Sequence, residues 1–185
     1  MRYRSVARYS APAQALHWLT AILVLIAFIF GPGGSEERVY AASRDFDRQL
    51  HETLGACVLT LVALRILWWT VDTRPNPPQA PRWMEITARL VQTTLYVLLF
   101  AVPLSAIAGA WLEGHPLTLL GGIRISPLVS ESHANGAKIA SIHTWLGDAI
   151  VWVAGMHALA SLYHHFFLKD SVLESMLPRW ISGQR

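Results

Sequence analysis

Residues 139–168 read IASIHTWLGDAIVWVAGMHALASLYHHFFL. The run is long and apolar enough to cross a bilayer as one helix, for which about 20 residues are needed. It carries His143 and His157, fourteen residues apart. That spacing is close to four helical turns, so both imidazoles share a face, about 21 Å apart along the axis. Two same-face histidines at different depths of a membrane helix suggest two metal centres, one near each surface. Candidate partners are His17 and His51, each at the start of another hydrophobic segment.

The chain around this run has 185 residues, 53% of them hydrophobic and only 15% charged, with eight tryptophans. That is too few charges for an ordinary soluble domain. One transmembrane domain over residues 1–185 is the expectation. A net charge of +3 is too small to argue for nucleic acid. Cys57 is the single cysteine, so an internal disulfide is impossible, and it reads as a small packing residue. No C-x-x-C-H is present, which excludes covalent haem attachment, and cysteine ligation of an iron–sulfur cluster is equally implausible.

Four stretches, roughly 13–30, 50–71, 86–112 and 139–168, predict spans of an all-α, up-down-up-down four-helix bundle. Ser10 and Pro12 suit the entry of the first helix, and the Gly31-Pro32-Gly33-Gly34 run ends it. No small-residue cleavage site follows, so this span reads as uncleaved. Pro103 predicts a kink in the third. Trp18, Trp68, Trp69, Trp111 and Trp145 fall near the expected interfaces. The proline-rich stretch 74–81 reads as a short, stiff connector. With both termini on one side, that side carries Arg2, Arg4, Arg8, Arg74, Arg82, Arg89, Lys169, Arg179 and Arg185. The other carries Arg38, Arg44, Arg48, Arg124 and Lys138. The nine-to-five bias places both termini in the cytoplasm.

This topology sorts the histidines by depth. His17 lies near the cytoplasmic face and His51 near the outer face. His143 lies near the outer face and His157 toward the cytoplasm. Depth alone therefore pairs His51 with His143, and His17 with His157. Iron porphyrin with two axial imidazoles needs histidines on facing helices at matched depth, and such six-coordinate iron suits electron transfer rather than oxygen binding. Ala21, Gly55 and Gly147 stand four residues beyond three of these histidines, and Ala154 and Ser161 flank His157. Small residues there let a porphyrin edge lie against the backbone, or else simply allow close helix packing. Zinc would want four ligands around one centre instead. Arg65, fourteen residues after His51, is placed to pair with a haem propionate of the His17–His157 site, or to snorkel to the interface. Asp148 suits ligand orientation, proton carriage or simple contact with outer water. His164 and His165 belong to the cytoplasmic interface, and His115 and His133 to the outer loop.

The segments SAPAQALHWLTA (10–21), HETLG (51–55), LRILW (64–68), HTWLG (143–147), MHA (156–158) and HHFFLKD (164–170) together resemble the bacterial cytochrome b561 family. The likeness covers nearly the whole chain. It implies an inner-membrane cytochrome with two non-covalent haems b, axial roles for His17, His51, His143 and His157, and electron exchange with membrane ubiquinone. Some members resemble superoxide oxidases, which pass an electron from superoxide at the outer face to ubiquinone. Near the start of span three, where relatives often carry histidine, this chain has Arg89 and Gln92, so no role is carried over there.

The expected function is therefore membrane electron transfer between a periplasmic donor, superoxide or a periplasmic redox protein, and ubiquinone. As an enzyme it would be a superoxide:ubiquinone oxidoreductase. Two alternatives compete. One is a non-enzymatic haem anchor subunit relaying electrons between quinone and a separate redox protein. The other is a metal-ion transporter or receptor, which predicts a colourless protein. Arg38, Arg44, Arg48, Arg124 and Lys138 are the residues available to attract an anion, set against Glu36, Glu37, Asp45, Asp47, Glu113 and Glu131 on the same side.

Overall fold

The computed structural model describes residues 8–73, 75, 80–178 and 180–181. Ser10 caps the first helix, α1 (Ala11–Ile29), by accepting from the Ala13 N–H, and proline occupies the first turn. After a short α2 (Glu36–Val39) and a 3₁₀ turn (Ala42–Arg44), α3 spans Asp45–Val71. Asp45 and Asp47 in its first turn offset the positive end of the helix dipole. Next comes α4 (Arg82–Leu112), with Pro103 inside it. A two-residue hairpin follows, β1 (Leu117–Thr118) against β2 (Arg124–Ile125), turning through Gly121 and Gly122 at φ 85° and 80°. The fourth long helix, α5 (His133–Tyr163), runs into a π-helical turn (His164–Leu168), and α6 (Val172–Ser175) closes the described fold.

The four long helices are each apolar and long enough to cross a membrane. They start earlier than the hydrophobic runs predict: α3 at Asp45, α4 at Arg82 and α5 at His133. The added first turns are polar, which hydropathy does not register but helix propensity and the dipole favour. His133, expected in a loop, therefore opens α5. Arg2, Arg4, Arg74, Arg179 and Arg185 of the orientation argument, and residues 76–79 of the connector, lie outside the described residues.

Contacts fix the alternating direction. The last turn of α1 meets the first turns of α3 through Ala27 and His51. The end of α4 meets the start of α5, where a Cβ on Gly109 would lie 3.3 Å from the Ala140 nitrogen. The chain ends meet at the opposite end of the bundle. There Trp18 Nε1 donates to Met176 O at 2.8 Å, the Tyr9 N–H to Ser175 O at 3.1 Å, and Arg8 to Leu177 O at 2.7 Å. At mid-depth Val58, Val62, Leu98, Leu99 and Ile150 make a small core, with Val62 fully buried. Large side chains such as Leu25, Trp145 and Trp152 point outward, as lipid allows.

Gly109 and Gly136 let α4 and α5 approach; a Cβ on Gly136 would lie 3.0 Å from the Glu113 nitrogen. Gly109→Leu should lower stability by about 1–3 kcal/mol through overpacking, read as a fall in the thermal midpoint of the detergent-purified protein.

Candidate metal centres

The four histidines come together as two pairs. His51 of α3 and His143 of α5 have ring centroids 6.0 Å apart and ring planes at 82°. His17 of α1 and His157 of α5 stand 6.3 Å apart at 74°. A histidine nitrogen binds a first-row metal at about 2.0–2.1 Å, and the ring centre lies about 1.1 Å behind it, so two imidazoles on one metal sit about 6.3 Å apart. Both pairs have that spacing.

Local structure explains how the outer pair is oriented. At the end of α1 the Gly31 N–H turns to Phe28 O, leaving the Ala27 carbonyl without a helical donor. His51 Nδ1 takes that carbonyl at 2.7 Å. The His51 ring passes so close to the chain that a Cβ on Gly31 would be 3.4 Å from His51 Cε1. His143 Nδ1 reaches the Val102 carbonyl at 2.9 Å, next to Pro103, with Ser105 Oγ at 3.4 Å. A ring that donates its Nδ1 proton to a carbonyl presents Nε2 as a neutral ligand in one orientation. The inner pair lacks this support: His17 Nδ1 is buried with no hydrogen-bond partner.

A cavity beside His51 and His143 is lined by Gly55, Ala56, Ala106, Gly147 and the core residues Val58, Leu99 and Ile150. A Cβ added at Gly55 or Gly147 would meet nothing within 4 Å. These glycines therefore do not serve close helix packing, which Gly109 does. They border open space beside the ligands, where a flat macrocycle fits. Among the described residues no three His, Cys, Asp or Glu side chains converge as a metal-ion site. Donor type, spacing and bordering space fit a bis-imidazole porphyrin at the His51–His143 pair, and donor type and spacing fit one at the His17–His157 pair.

Arg65 stacks its guanidinium over Tyr96, 5.3 Å from the ring centroid, and its charge acts on both His17 and His157. Asp148 is exposed and makes no hydrogen bond or ion pair among the described residues. His164 Nδ1 pairs with Asp170 at 2.5 Å, and Asp170 also accepts from the Val172 N–H at 3.0 Å. His164 thus serves the turn into α6.

Sequence reasoning missed the network over the outer cavity. Arg48 is buried, pairs with Glu52 at 3.0 Å and with Asp45, and lies 5.1 Å from the Tyr40 ring centroid. Glu52 also accepts from the Thr118 N–H of β1. His115 stacks on Tyr40 at 3.5 Å and pairs with Glu36 at 2.7 Å. Arg44 pairs with Asp47 at 3.2 Å. Arg44 and Arg48 are thus engaged by carboxylates instead of offering the field expected of them. Only the i,i+3 and i,i+4 spacings of Arg44–Asp47, Arg48–Asp45 and Arg48–Glu52 were available as a signal. Burial, helped by Glu52 and Glu113, pushes the Tyr40 phenol up. Burial, then the charge of Glu36, raises the Glu113 carboxyl.

That last shift has a definite sign. A carboxyl raised on folding disfavours the native state as pH climbs past its ordinary range, because the unfolded chain ionises first. Glu113→Gln should therefore raise the thermal midpoint at pH 7, with the gain gone below about pH 4. Thermal unfolding at both pH values checks this.

A family model described as prokaryotic cytochrome b561 matches residues 8–179. Cytochrome b561 homolog 2 of Escherichia coli (strain K12) is 29% identical over 171 residues, covering 92% of this chain and 91% of the relative. The probable superoxide oxidase CybB of Yersinia pestis is 30% identical over 179 residues, covering 93% and 97%. Cytochrome b561 homolog 1 of Escherichia coli (strain K12) is 31% identical over 180 residues, covering 93% and 98%.

Proposed function

The chain belongs to the prokaryotic cytochrome b561 family, whose members bind b-type haem in the membrane, and from that premise we propose that it holds two haems and moves electrons from a periplasmic donor to ubiquinone. The observation that carries this reading is the pair of ring separations, 6.0 and 6.3 Å, at opposite ends of α5. His51 and His143 would hold one haem, and His17 and His157 the other. Haem so held would supply one-electron chemistry.

The protein's part is positioning and exclusion. The Ala27 and Val102 carbonyls hold the outer rings in one tautomer. The core of Val58, Val62, Leu98, Leu99 and Ile150 keeps water from the space between the two ends. Arg65 sits beside the inner pair, where its guanidinium is matched to a propionate. The hook of Ser175, Met176 and Leu177 onto α1 keeps both ends of the chain on one side, which lysine and arginine placement assigns to the cytoplasm. This is the topology of a multi-pass protein of the bacterial inner membrane, its one transmembrane cytochrome domain filling residues 1–185.

Superoxide is the preferred donor, supported by the likeness to the probable superoxide oxidase CybB of Yersinia pestis. Two superoxide anions give up one electron each and leave as oxygen, and ubiquinone takes both electrons with two protons to become quinol. One observation favours the anchor reading. Glu36, Glu37, Asp45, Asp47, Glu52, Glu113 and Glu131 outnumber Arg38, Arg44, Arg48, Arg124 and Lys138 at the outer end. That balance suits a cationic redox protein better than an anion.

Two measurements test the function. Pyridine haemochrome analysis should return two haems per chain, and one after replacing any single histidine of either pair by leucine. A colourless purified protein overturns the proposal. With superoxide and ubiquinone supplied, quinol should form at a rate that rises with salt, since screening weakens repulsion by the acidic rim. Quinol formation only with a basic redox protein would select the anchor reading.

A further inference from the structure

The segment between α4 and α5 does not stand away from the bundle. Glu113, at the end of α4, packs on the first turn of α5, where a Cβ on Gly136 would meet its side chain. From there the chain turns down along α3. The Thr118 N–H donates to the Glu52 carboxylate, and the Leu120 N–H to Thr53 Oγ at 2.9 Å. Glu52 and Thr53 follow His51 directly in α3, and the His51 ring faces His143 of α5. Gly136 and His143 are seven residues apart, about 10 Å of helix. The tip of the hairpin therefore hangs well below the end of α4, level with the His51–His143 pair.

That level is inside the membrane. α5 needs about 20 residues to cross the hydrocarbon. Centred on Ile150 of the mid-depth core, those residues begin near Ala140, before His143 is reached. The hairpin has the chemistry of such a place. Residues 116–130 carry a single charge, Arg124, although Glu113 and Glu131 flank them. Leu120, Ile123 and Ile125 turn outward, 37%, 61% and 41% exposed. They extend a face of α3 that continues past Thr53 through the exposed Cys57 and Leu64. The Leu119 N–H reaches Ile123 O at 2.8 Å and the Gly122 N–H reaches Leu119 O at 3.1 Å, so the turn satisfies itself. The edge toward α3 takes its acceptors from Glu52 and Thr53. Backbone donors away from water need such partners. Arg124 is exposed, and its side chain is long enough to reach a lipid phosphate.

We propose that the β1–β2 hairpin is seated in the lipid leaflet at this end of the bundle, with Leu120, Ile123 and Ile125 among the acyl chains. On its inner side Leu117 lines the cavity beside His51 and His143, so lipid backs one wall of that cavity. The seat is independent of what the histidines hold.

Spin labels read the seat directly. With Cys57, exposed on α3, first replaced by alanine, a nitroxide is attached at Leu120→Cys or Ile123→Cys and the protein is placed in phosphatidylcholine vesicles. Collision with dissolved oxygen should exceed collision with a water-soluble nickel chelate several-fold, as for a label at Leu25→Cys on the outward face of α1 and unlike one at Glu37→Cys on α2. Chelate collisions matching those at Glu37→Cys overturn the proposal. Labels that meet neither reagent mean that a second protein or a second copy covers the hairpin, and overturn it too. Should the cysteine variants fail to fold, the unaltered chain serves. A diazirine carried on the acyl chain and fired by light should leave adducts on residues 119–125, and adducts confined to the four long helices overturn the proposal.

Discussion

An imidazole inside a bilayer has a ring proton that no water will accept, and where that proton goes decides what the other nitrogen can do. In this bundle the rings of His51 and His143 send it to backbone carbonyls of neighbouring helices, Ala27 of α1 and Val102 of α4. The Ala27 carbonyl is released because Gly31 closes the end of α1 onto Phe28. The Val102 carbonyl stands next to a proline inside α4. Helix ends and prolines are usually counted as costs in a membrane, since every backbone group must be satisfied there. Here the end of α1 becomes the fixture that aims His51, and a carbonyl inside α4 aims His143.

The same economy separates the glycines. Gly109 lies against Ala140, and its role is the approach of two backbones. Gly55 and Gly147 border open space four residues from their histidines. In sequence the two kinds look alike, each a glycine in an apolar helix. Only the position of the neighbouring helix tells them apart, and that is a tertiary fact.

Much of the architecture was readable because bilayer thickness and helical rise are fixed lengths. The four spans, the entry of α1 at Ser10 and Pro12, and the depth of His17, His51, His143 and His157 follow from counting residues. The polar first turns of α3, α4 and α5 escaped, since a hydropathy reading stops where charges begin. The outer network escaped for a different reason. Tyr40, Arg48, Glu52, His115 and Thr118 come from separate segments, and their contacts span up to 79 residues of sequence. Arg48 shows the consequence: counted by charge it is an attractor, but buried between Asp45 and Glu52 it is a structural tie. Such pairings depend on how loops fold over the bundle, about which periodicity is silent.

The clasp between Tyr9, Trp18 and the carbonyls of Ser175 and Met176 bears on biosynthesis. Trp18 is held by a residue 158 positions further along the chain, made well after α1 has left the ribosome. His17 likewise waits for His157, on the final span. Until then α1 is held at that end by α3 alone, through Ser10 with Trp68 and Asp72. His51 and His143 likewise meet only once the fourth span begins to emerge, but that is some fourteen residues sooner than His157. Maturation therefore has a built-in order, with the His51–His143 end assembled before the His17–His157 end.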